Sequence, residues 1–261
     1  MVWEQDVRLI VSLTAEVERG QAKCHPYWQS GNYGPLRVSC VSQKCVYINS
    51  PDQQAEDLLP KPSSSIDAQN AFMLEPADNP FIIVRHFSLS HAAFPFKPLR
   101  EVIQLHYPHW PDFGTTSQPS QLLRLLEECN QAKKVTSPTF DDSGPDPESH
   151  RPVIVHCSAG CGRTGAFCTV DSVLDMLKRQ RAEGAISFVE QPVRKEGHAN
   201  DSSWVFDQDL DLIAKTVGDF RTQRPSMVQN LSQFVLCYES VLEWIASEGT
   251  VGGNNSNKAS R

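Results

Sequence analysis

Short apolar runs recur along the chain and predict its strands. Val7–Leu13 is apolar at most positions, which is typical of a buried strand. Leu36–Ile48 predicts a hairpin of two shorter strands, and Phe81–Val84 predicts a further strand. Polar and apolar residues alternate through Leu99–Tyr107, which favours a strand with one buried face. Pro152–Val155 is β-branched and uncharged, and it predicts a last buried strand.

Apolar residues at helical spacing alternate with these runs. Leucines and a cysteine recur every three or four residues through Gln118–Val135, and Ala166–Arg181 is compatible with a helix throughout. Ser203–Val217 and Leu231–Ala246 predict two C-terminal helices. Because strands and helices interleave, we predict an α/β fold: a single domain with a twisted, mixed central β-sheet flanked by helices.

Two stretches break this pattern with proline, serine and acidic residues. The first lies at about 50–80 and the second at about 137–151. Since strand-like sequence resumes after each, we interpret them as insertions into one domain and not as linkers. We predict a domain over residues 1–249 and a disordered Gly/Asn/Ser-rich tail at 250–261.

Composition narrows the class of protein. The 261-residue chain is 39% hydrophobic and has a formal net charge of −7. An acidic chain without a Lys/Arg block is a poor candidate for binding nucleic acid. No apolar run is long enough for a membrane span, and the first residues do not form a signal peptide. The eight cysteines are scattered without zinc-like spacing, which favours reduced thiols and no metal. We expect a cytoplasmic monomer.

The strongest chemical signal follows the strand at 152–155. There a glycine-rich turn opens the helix that contains Ala166. Such a turn points several backbone N–H groups at one spot, and the helix dipole adds positive potential there. The planar guanidinium of Arg163 can hold two oxygens of a phosphate at once. The stretch therefore predicts an oxyanion-binding site.

Cys157 lies at the bottom of this site. Helix-end amides and an arginine stabilise a thiolate, and lowering a thiol pKa by two units requires about 2.7 kcal/mol. A phosphate bound above a thiolate predicts phosphoryl transfer to sulfur. The alternatives are a buried structural cysteine at a strand end, or a nucleotide-binding loop, which would require a lysine that this stretch lacks.

The run from His156 to Gly165 resembles the phosphate-binding loop of the protein-tyrosine phosphatases. The resemblance implies that Cys157 is the nucleophile, that Thr164 stabilises its thiolate as leaving group, and that His156 positions Cys157 through hydrogen bonds. It implies no metal or organic cofactor. Phosphate would be held by residues of the loop: Ser158, Ala159, Gly160, Cys161, Gly162 and Arg163.

Breaking a phosphate ester requires a proton for the departing oxygen. Trp110–Gly114 offers a carboxyl group on a segment stiffened by proline and hinged by glycine. It resembles the mobile acid loop of the same family, which implies that Asp112 protonates the leaving phenolate and that Trp110 anchors the hinge. An ordinary turn with a solvated aspartate is the alternative.

A second step must hydrolyse the cysteinyl phosphate. The segment at 224–233 resembles the family's glutamine loop. The resemblance implies that Gln229 orients the attacking water, that Asp112 now acts as its general base, and that Gln233 assists. A neutral amide suits this role because it can donate to a phosphoryl oxygen and accept from water. Without the family, Gln229 would be interpreted as a helix-capping residue.

Two charged residues match a further loop that faces the active site in this family. The resemblance implies that Glu18 braces Arg163 and that Lys23 contacts Asp112 when the acid loop closes. Bracing would hold the guanidinium in a productive geometry. A surface charge cluster is the alternative. Two more arginines are expected to support the loops through ion pairs: Arg221 and Arg224.

The resemblance extends from residue 1 to residue 244, with the three motifs in the family's order. The family's Lys-Asn-Arg-Tyr loop, which stacks on phosphotyrosine, has no counterpart here. We therefore expect a catalytic domain that lacks its N-terminal portion. The long insertions resemble those of fungal non-receptor members.

Two functional hypotheses follow. The first is hydrolysis of phosphotyrosine in proteins through a cysteinyl-phosphate intermediate, with a MAP kinase as one substrate suggested by family analogy. The second is a phosphotyrosine-binding module with little or no turnover, because the N-terminal recognition elements are missing. A dual-specificity phosphatase is disfavoured by the full Trp-Pro-Asp loop and by Gln229.

Overall fold

The computed structural model describes residues 1–48, 80–111, 118–136, 151–187 and 210–253. Within these residues the chain forms eight strands and four helices. The strands are β1 (Leu9–Ser12), β2 (Val17–Glu18), β3 (Gln21–Ala22), β4 (Gly31–Tyr33), β5 (Leu36–Tyr47), β6 (Phe81–His91), β7 (Arg100–His106) and β8 (Val153–His156). The helices are α1 (Pro119–Thr136), α2 (Gly162–Ser187), α3 (Leu212–Gln223) and α4 (Leu231–Gly253).

Six of the strands form one mixed sheet in the order β4-β5-β6-β7-β1-β8. β1 runs parallel to both β7 and β8, whereas β4, β5, β6 and β7 pair antiparallel. Every residue of β1 is buried, as its nearly continuous apolar sequence predicts for a strand between two parallel neighbours. The predicted α/β fold with a mixed central sheet is confirmed.

The sheet separates two apolar clusters because successive side chains of a strand point to opposite faces. Leu9 and Val11 contribute to the larger cluster, which also contains buried residues of all four helices. Ile10, between them in sequence, contributes to the smaller cluster with Trp28 and Phe87. The helices therefore cover one face of the sheet, and β8 leads directly into the longest of them, α2.

The predicted hairpin at Leu36–Ile48 is wrong. Leu36–Tyr47 is one strand, β5, paired along its length with β6 and interrupted only by a register shift between Cys40 and Ser42. No turn-forming residue interrupts the stretch, and a bulge absorbs the irregularity. The turn lies earlier, at Gly34, whose φ of 61° suits a connection between β4 and β5.

Several other boundaries differ from the predictions. β6 continues seven residues beyond Val84 to His91, because Phe87 and Leu89 keep alternating into the smaller cluster. α2 begins at Gly162, before the predicted Ala166. α3 begins at Leu212, where the carboxylate of Asp211 accepts hydrogen bonds from the N–H groups of Ile213 and Ala214.

α4 continues to Gly253, so residues 250–253 of the predicted disordered tail are helical. The rest of that tail, and most of both predicted insertions, lie outside the described residues. The ends of the first insertion meet, since the N–H of Ile48 donates to the carbonyl of Pro80 at 2.9 Å. No helix in the described part of the chain is both long enough and apolar enough to cross a membrane.

Candidate active site

The loop after β8 brings the predicted nucleophile to the N-terminus of α2. The N–H of Leu13 donates to the carbonyl of His156 at 2.8 Å and fixes the end of the strand. Cys157 is buried, whereas Ser158 and Ala159 on the rim of the loop are exposed. Gly160 adopts a φ of 68°, which turns the loop back over the sulfur. The loop from Cys157 to Gly162 is therefore a cup with the thiol at its base.

The environment of Cys157 favours the thiolate. Burial by itself would raise the pKa of this thiol, but the Thr164 hydroxyl and the backbone N–H groups of Thr164, Cys161 and Gly160 together lower the pKa below its usual value. The Gly160 N–H lies 3.2 Å from Sγ. The Thr164 hydroxyl is near enough to stabilise the anion, although its geometry falls short of a full hydrogen bond.

Arg163 is held by two groups. Its side chain is 1% exposed, and Nη1 lies 2.7 Å from the carboxylate of Glu18 and 2.8 Å from the carbonyl oxygen of Trp110. Glu18 comes from the β2–β3 hairpin, whose turn residues Arg19 and Gly20 have φ of 50° and 75°. Glu18 and Arg163 thus form a largely buried ion pair. The alternative, that Glu18 belongs to a cluster of charges on the surface, does not describe this contact.

The acid loop is described as far as Pro111. The indole of Trp110 is fully buried in the larger cluster, so the segment leaves the core directly beside Arg163. Asp112 lies outside the described residues, and so does its predicted contact with Lys23. The backbone N–H of Lys23 donates to the carbonyl of Glu16 at 2.8 Å and closes the hairpin that carries Glu18.

His156 contacts the backbone of the nucleophile. Its Nδ1 lies 3.2 Å from the carbonyl oxygen of Cys157, and its Nε2 lies 2.7 Å from the hydroxyl of Tyr27. Burial lowers the pKa of His156, and the bond to the Cys157 carbonyl offsets this only in part. The His156 ring therefore connects the backbone of Cys157 to the Tyr27 hydroxyl.

The side chains of Gln229 and Gln233 pack against the cup at Gly162. A Cβ added at Gly162 would lie 2.7 Å from Oε1 of Gln229 and 2.8 Å from Nε2 of Gln233. Oε1 of Gln233 also accepts from the backbone N–H of Gln229 at 2.9 Å, so the two residues form one unit. Both amides therefore lie against the N-terminus of α2, above which a phosphate would be bound.

The segment before these glutamines packs tightly on α2. A Cβ at Gly165 would come within 2.4 Å of the backbone nitrogen of Val228, and that nitrogen bonds to the carbonyl of Cys161 at 3.3 Å. Val228 has a φ of 57°, which is unusual for a β-branched residue. Such a conformation persists where the surroundings hold it firmly.

The prediction that Arg221 and Arg224 form ion pairs is wrong. Arg221 donates to the carbonyls of Met227 and Val228 at 2.9 and 2.7 Å. Arg224 donates to the carbonyls of Gly160 and Ala159, each at 2.9 Å. Loop carbonyls that have no partner within a helix or strand are natural acceptors for a guanidinium fork. Arg224 clamps the rim of the cup.

Tyr27 also contributes to the site, although the sequence analysis did not identify it. Its hydroxyl lies between His156 and the side chain of Gln104, at 2.7 and 2.9 Å. The only signal was its position in an aromatic pair shortly after Lys23. Taken together, the site can bind a dianionic oxyanion through N–H groups and a guanidinium while presenting a thiolate from below.

Comparison with known proteins agrees with this chemistry. The chain is 27% identical to Tyrosine-protein phosphatase 3 of Saccharomyces cerevisiae over 90% of its own length and 27% of the relative's. It is 29% identical to Receptor-type tyrosine-protein phosphatase epsilon of Rattus norvegicus over 94% of its own length and 25% of the relative's. The chain therefore spans about a quarter of the length of these relatives.

Solved structures show the same fold. The catalytic domain of human protein tyrosine phosphatase non-receptor type 18 superimposes with a TM-score of 0.58 at 26% identity, over 93% of this chain and 62% of that one. Residues 1–198 match the family model described as Protein-tyrosine phosphatase. That match covers more than half of the sequence, and the chain belongs to the protein-tyrosine phosphatase family.

Proposed function

We propose that the chain hydrolyses phosphotyrosine in proteins through a cysteinyl-phosphate intermediate. The observation that carries the proposal is the cup itself. Its sulfur has a lowered pKa and accepts from the Gly160 N–H, and the Arg163 guanidinium of the same loop is braced by Glu18. Family membership supports the reaction class.

In the first step the Cys157 thiolate attacks phosphorus. The bond from phosphorus to the phenolic oxygen breaks, and Asp112 donates its proton to the departing phenolate. Arg163 and the N–H groups of the cup hold the three non-bridging oxygens as their charge redistributes. Asp112 follows Trp110 by two residues, and the contact of the Trp110 carbonyl with Arg163 supports this role.

In the second step water attacks the phosphorus of the cysteinyl phosphate. Gln229 orients that water, and Asp112, now ionised, accepts its proton. The sulfur leaves as a thiolate, stabilised by Thr164 and by the N–H groups that lower its pKa. The packing of Gln229 and Gln233 against Gly162 supports this role, because it brings both amides to the loop that would hold the phosphoryl group.

The test compares hydrolysis of p-nitrophenyl phosphate and of a phosphotyrosine peptide with that of a matched phosphoserine peptide. We expect turnover of the first two. Cys157→Ser should reduce kcat by at least about 1000-fold. Cys40→Ser, an exposed cysteine on β5, is the control and should leave kcat unchanged.

Asp112→Ala separates the general acid from binding. We expect kcat to fall by about 100-fold or more while the affinity for phosphotyrosine peptide stays similar, because proton transfer acts in the transition state. Equal losses in both would contradict the assignment. A wild-type chain that binds the phosphotyrosine peptide but does not turn it over would favour the binding module.

A further inference from the structure

A buried arginine lies beneath the site, and no step of the proposed reaction uses it. Arg85 on β6 is 3% exposed, and its guanidinium carbon lies 4.5 Å from the ring centroid of Trp28. Among the described residues its hydrogen-bond partners are two glutamines and a histidine, not a carboxylate. Burial lowers the pKa of Arg85 to about 10, which leaves it charged at neutral pH. The negative charge of Glu16 stabilises the cation in part, but among the described residues Arg85 forms no salt bridge. A buried cation without a directly paired carboxylate is costly and requires a reason.

One chain of hydrogen bonds runs from Arg85 to the nucleophile. Nη1 donates to Oε1 of Gln104 at 2.9 Å, and Nε2 of Gln104 donates to the Tyr27 hydroxyl at 2.9 Å. That hydroxyl donates to Nε2 of His156 at 2.7 Å, and Nδ1 of His156 donates to the carbonyl of Cys157 at 3.2 Å.

A second chain runs from the same nitrogen to the phosphate-binding guanidinium. Nη1 of Arg85 lies 2.8 Å from Nδ1 of His106, and Nε2 of His106 lies 2.7 Å from the carbonyl of Thr14. The Thr14 hydroxyl lies 3.3 Å from the carboxylate of Glu18, which holds Arg163. Both chains start at one cation because Gln104 and His106 are two residues apart on β7 and share a face.

The directions of these bonds follow from groups that can act in only one way. A guanidinium can only donate, so the oxygen of Gln104 and the Nδ1 of His106 accept, and Gln104 donates to Tyr27. A carbonyl can only accept, so His106 carries its proton on Nε2, facing Thr14, and His156 carries its proton on Nδ1, facing Cys157. Nε2 of His156 then accepts from the Tyr27 hydroxyl. The cation at one end and the two carbonyls at the other therefore agree on the direction of each chain.

We propose that Arg85 is a positioning residue for both halves of the phosphate cup, holding the Cys157 backbone through Gln104, Tyr27 and His156, and Glu18 with Arg163 through His106 and Thr14. A neutral residue at this place would leave Gln104 and His106 without their common donor. Both side chains could then turn or shift, and the two phosphate-binding groups would no longer be held by one shared anchor. This role rests on the proposed function, but it concerns geometry that exists without substrate.

The test uses Arg85→Met, which keeps an unbranched apolar stem and removes the donors, together with Tyr27→Phe, which breaks only the first chain. Per folded molecule, we expect Arg85→Met to lower kcat on p-nitrophenyl phosphate by about 10- to 100-fold, since small misplacements of reacting groups are costly. The imidazole nitrogen NMR shifts of His156, assigned with His156→Gln, should change in both variants, because the hydrogen bond between Nε2 and the Tyr27 hydroxyl is lost or weakened. The effects on kcat should be non-additive in the double variant.

Phe87→Leu is the matched control, because it lies on the same face of β6 and removes volume from the smaller cluster without touching either chain. It should lower stability and leave kcat and the His156 shifts unchanged. If Arg85→Met does not fold, Gln104→Leu and Thr14→Val break the two chains one at a time and decide the matter. Wild-type His156 shifts and an unchanged kcat in the variants would overturn the proposal.

The NMR measurement on His156 does not require that the enzyme turn over substrate. If the wild-type chain does not hydrolyse phosphate esters, the proposed function fails while the NMR shifts and the rate of Cys157 alkylation still test Arg85. A wild-type enzyme that is active, with variants that are equally active, rejects the positioning role alone.

Discussion

The loop at the N-terminus of α2 and the body of that helix shift the pKa of a cysteine in opposite directions. Cys157 lies in the loop at the N-terminus of α2, and Cys168 lies in the helix body a short distance along. Burial raises the pKa of Cys168 to about 12. Burial acts on Cys157 in the same direction, but there the Thr164 hydroxyl and three backbone N–H groups outweigh it and lower the pKa. Reactivity is therefore set by the free N–H groups of a helix terminus, not by exposure.

The helix body cannot supply such groups because its N–H groups are already bonded within the helix. The difference also depends on Gly160, whose left-handed conformation aims its N–H at the sulfur. A cysteine buried at an equal depth elsewhere should therefore be inert.

The largest effect should be in thiol reactivity. At pH 7 a thiol with a pKa near 12 is ionised to about one part in 10⁵, and one with a pKa below 9 to more than about one part in 100. We expect iodoacetamide to modify Cys157 at least about 1000-fold faster than Cys168, as measured by peptide mapping after brief labelling. Hydrogen peroxide should show the same order. Faster modification of Cys168 or Cys237 than of Cys157 would contradict the predicted order of thiol reactivity.

A smaller effect should follow from disturbing the helix terminus without touching sulfur. Gly165→Ala puts a methyl group 2.4 Å from the Val228 nitrogen, so the glutamine segment or the cup must move. We expect kcat on p-nitrophenyl phosphate to fall by about 100-fold.

Gly218→Ala on α3 is the matched control for that substitution. Nothing lies within 4 Å of the added methyl group, and alanine favours helix by about 1 kcal/mol. It should leave kcat unchanged and preserve or raise the melting temperature. Equal activity in the two variants would show that the close contact at Gly165 does not support the cup.

The smallest effect should appear in stability as a function of pH. The pKa of Cys157 is lower in the folded state than in the unfolded chain, so its contribution to stability grows as pH rises from the folded pKa towards 9. The pKa of Cys168 is higher in the folded state, so it reduces stability above pH 9, by at most about 1.4 kcal/mol for each pH unit.

Urea unfolding of Cys157→Ser and Cys168→Ser beside the wild type at pH 6, 7.5 and 9.5 measures both signs. Relative to wild type, the first variant should lose stability as pH rises, and the second should gain stability at pH 9.5. Parallel pH profiles for all three chains would contradict the assigned directions.

The parts that the sequence predicted are those encoded locally. The strand at 152–155, the glycines after Cys157 and the helix that follows are contiguous, so their geometry follows from one stretch. The contacts that complete the site join distant positions. Arg224 reaches Gly160 from 64 residues away, and only folding shows that its partners are carbonyls. Local propensity likewise could not show that Leu36–Tyr47 is one strand, because its partner β6 decides that.

Arg85 shows the same limit in another form. Its residue type was visible in the sequence, but the predicted strand ended at Val84, one residue before it. Its role depends on two side chains of β7 and on the loops before β4. A hydrogen-bond relay has no sequence period, whereas a buried strand or an amphipathic helix does.

The carbonyl of Trp110 and the carboxylate of Glu18 share one nitrogen of Arg163. A displacement of the backbone at Trp110 therefore moves the guanidinium, and a ligand that displaces the guanidinium moves the backbone at Trp110. By thermodynamic reciprocity, an oxyanion that favours one position of the Trp110 carbonyl must bind more tightly when the carbonyl already occupies that position. Occupancy of the cup and the position of the backbone at Trp110 are therefore coupled to each other.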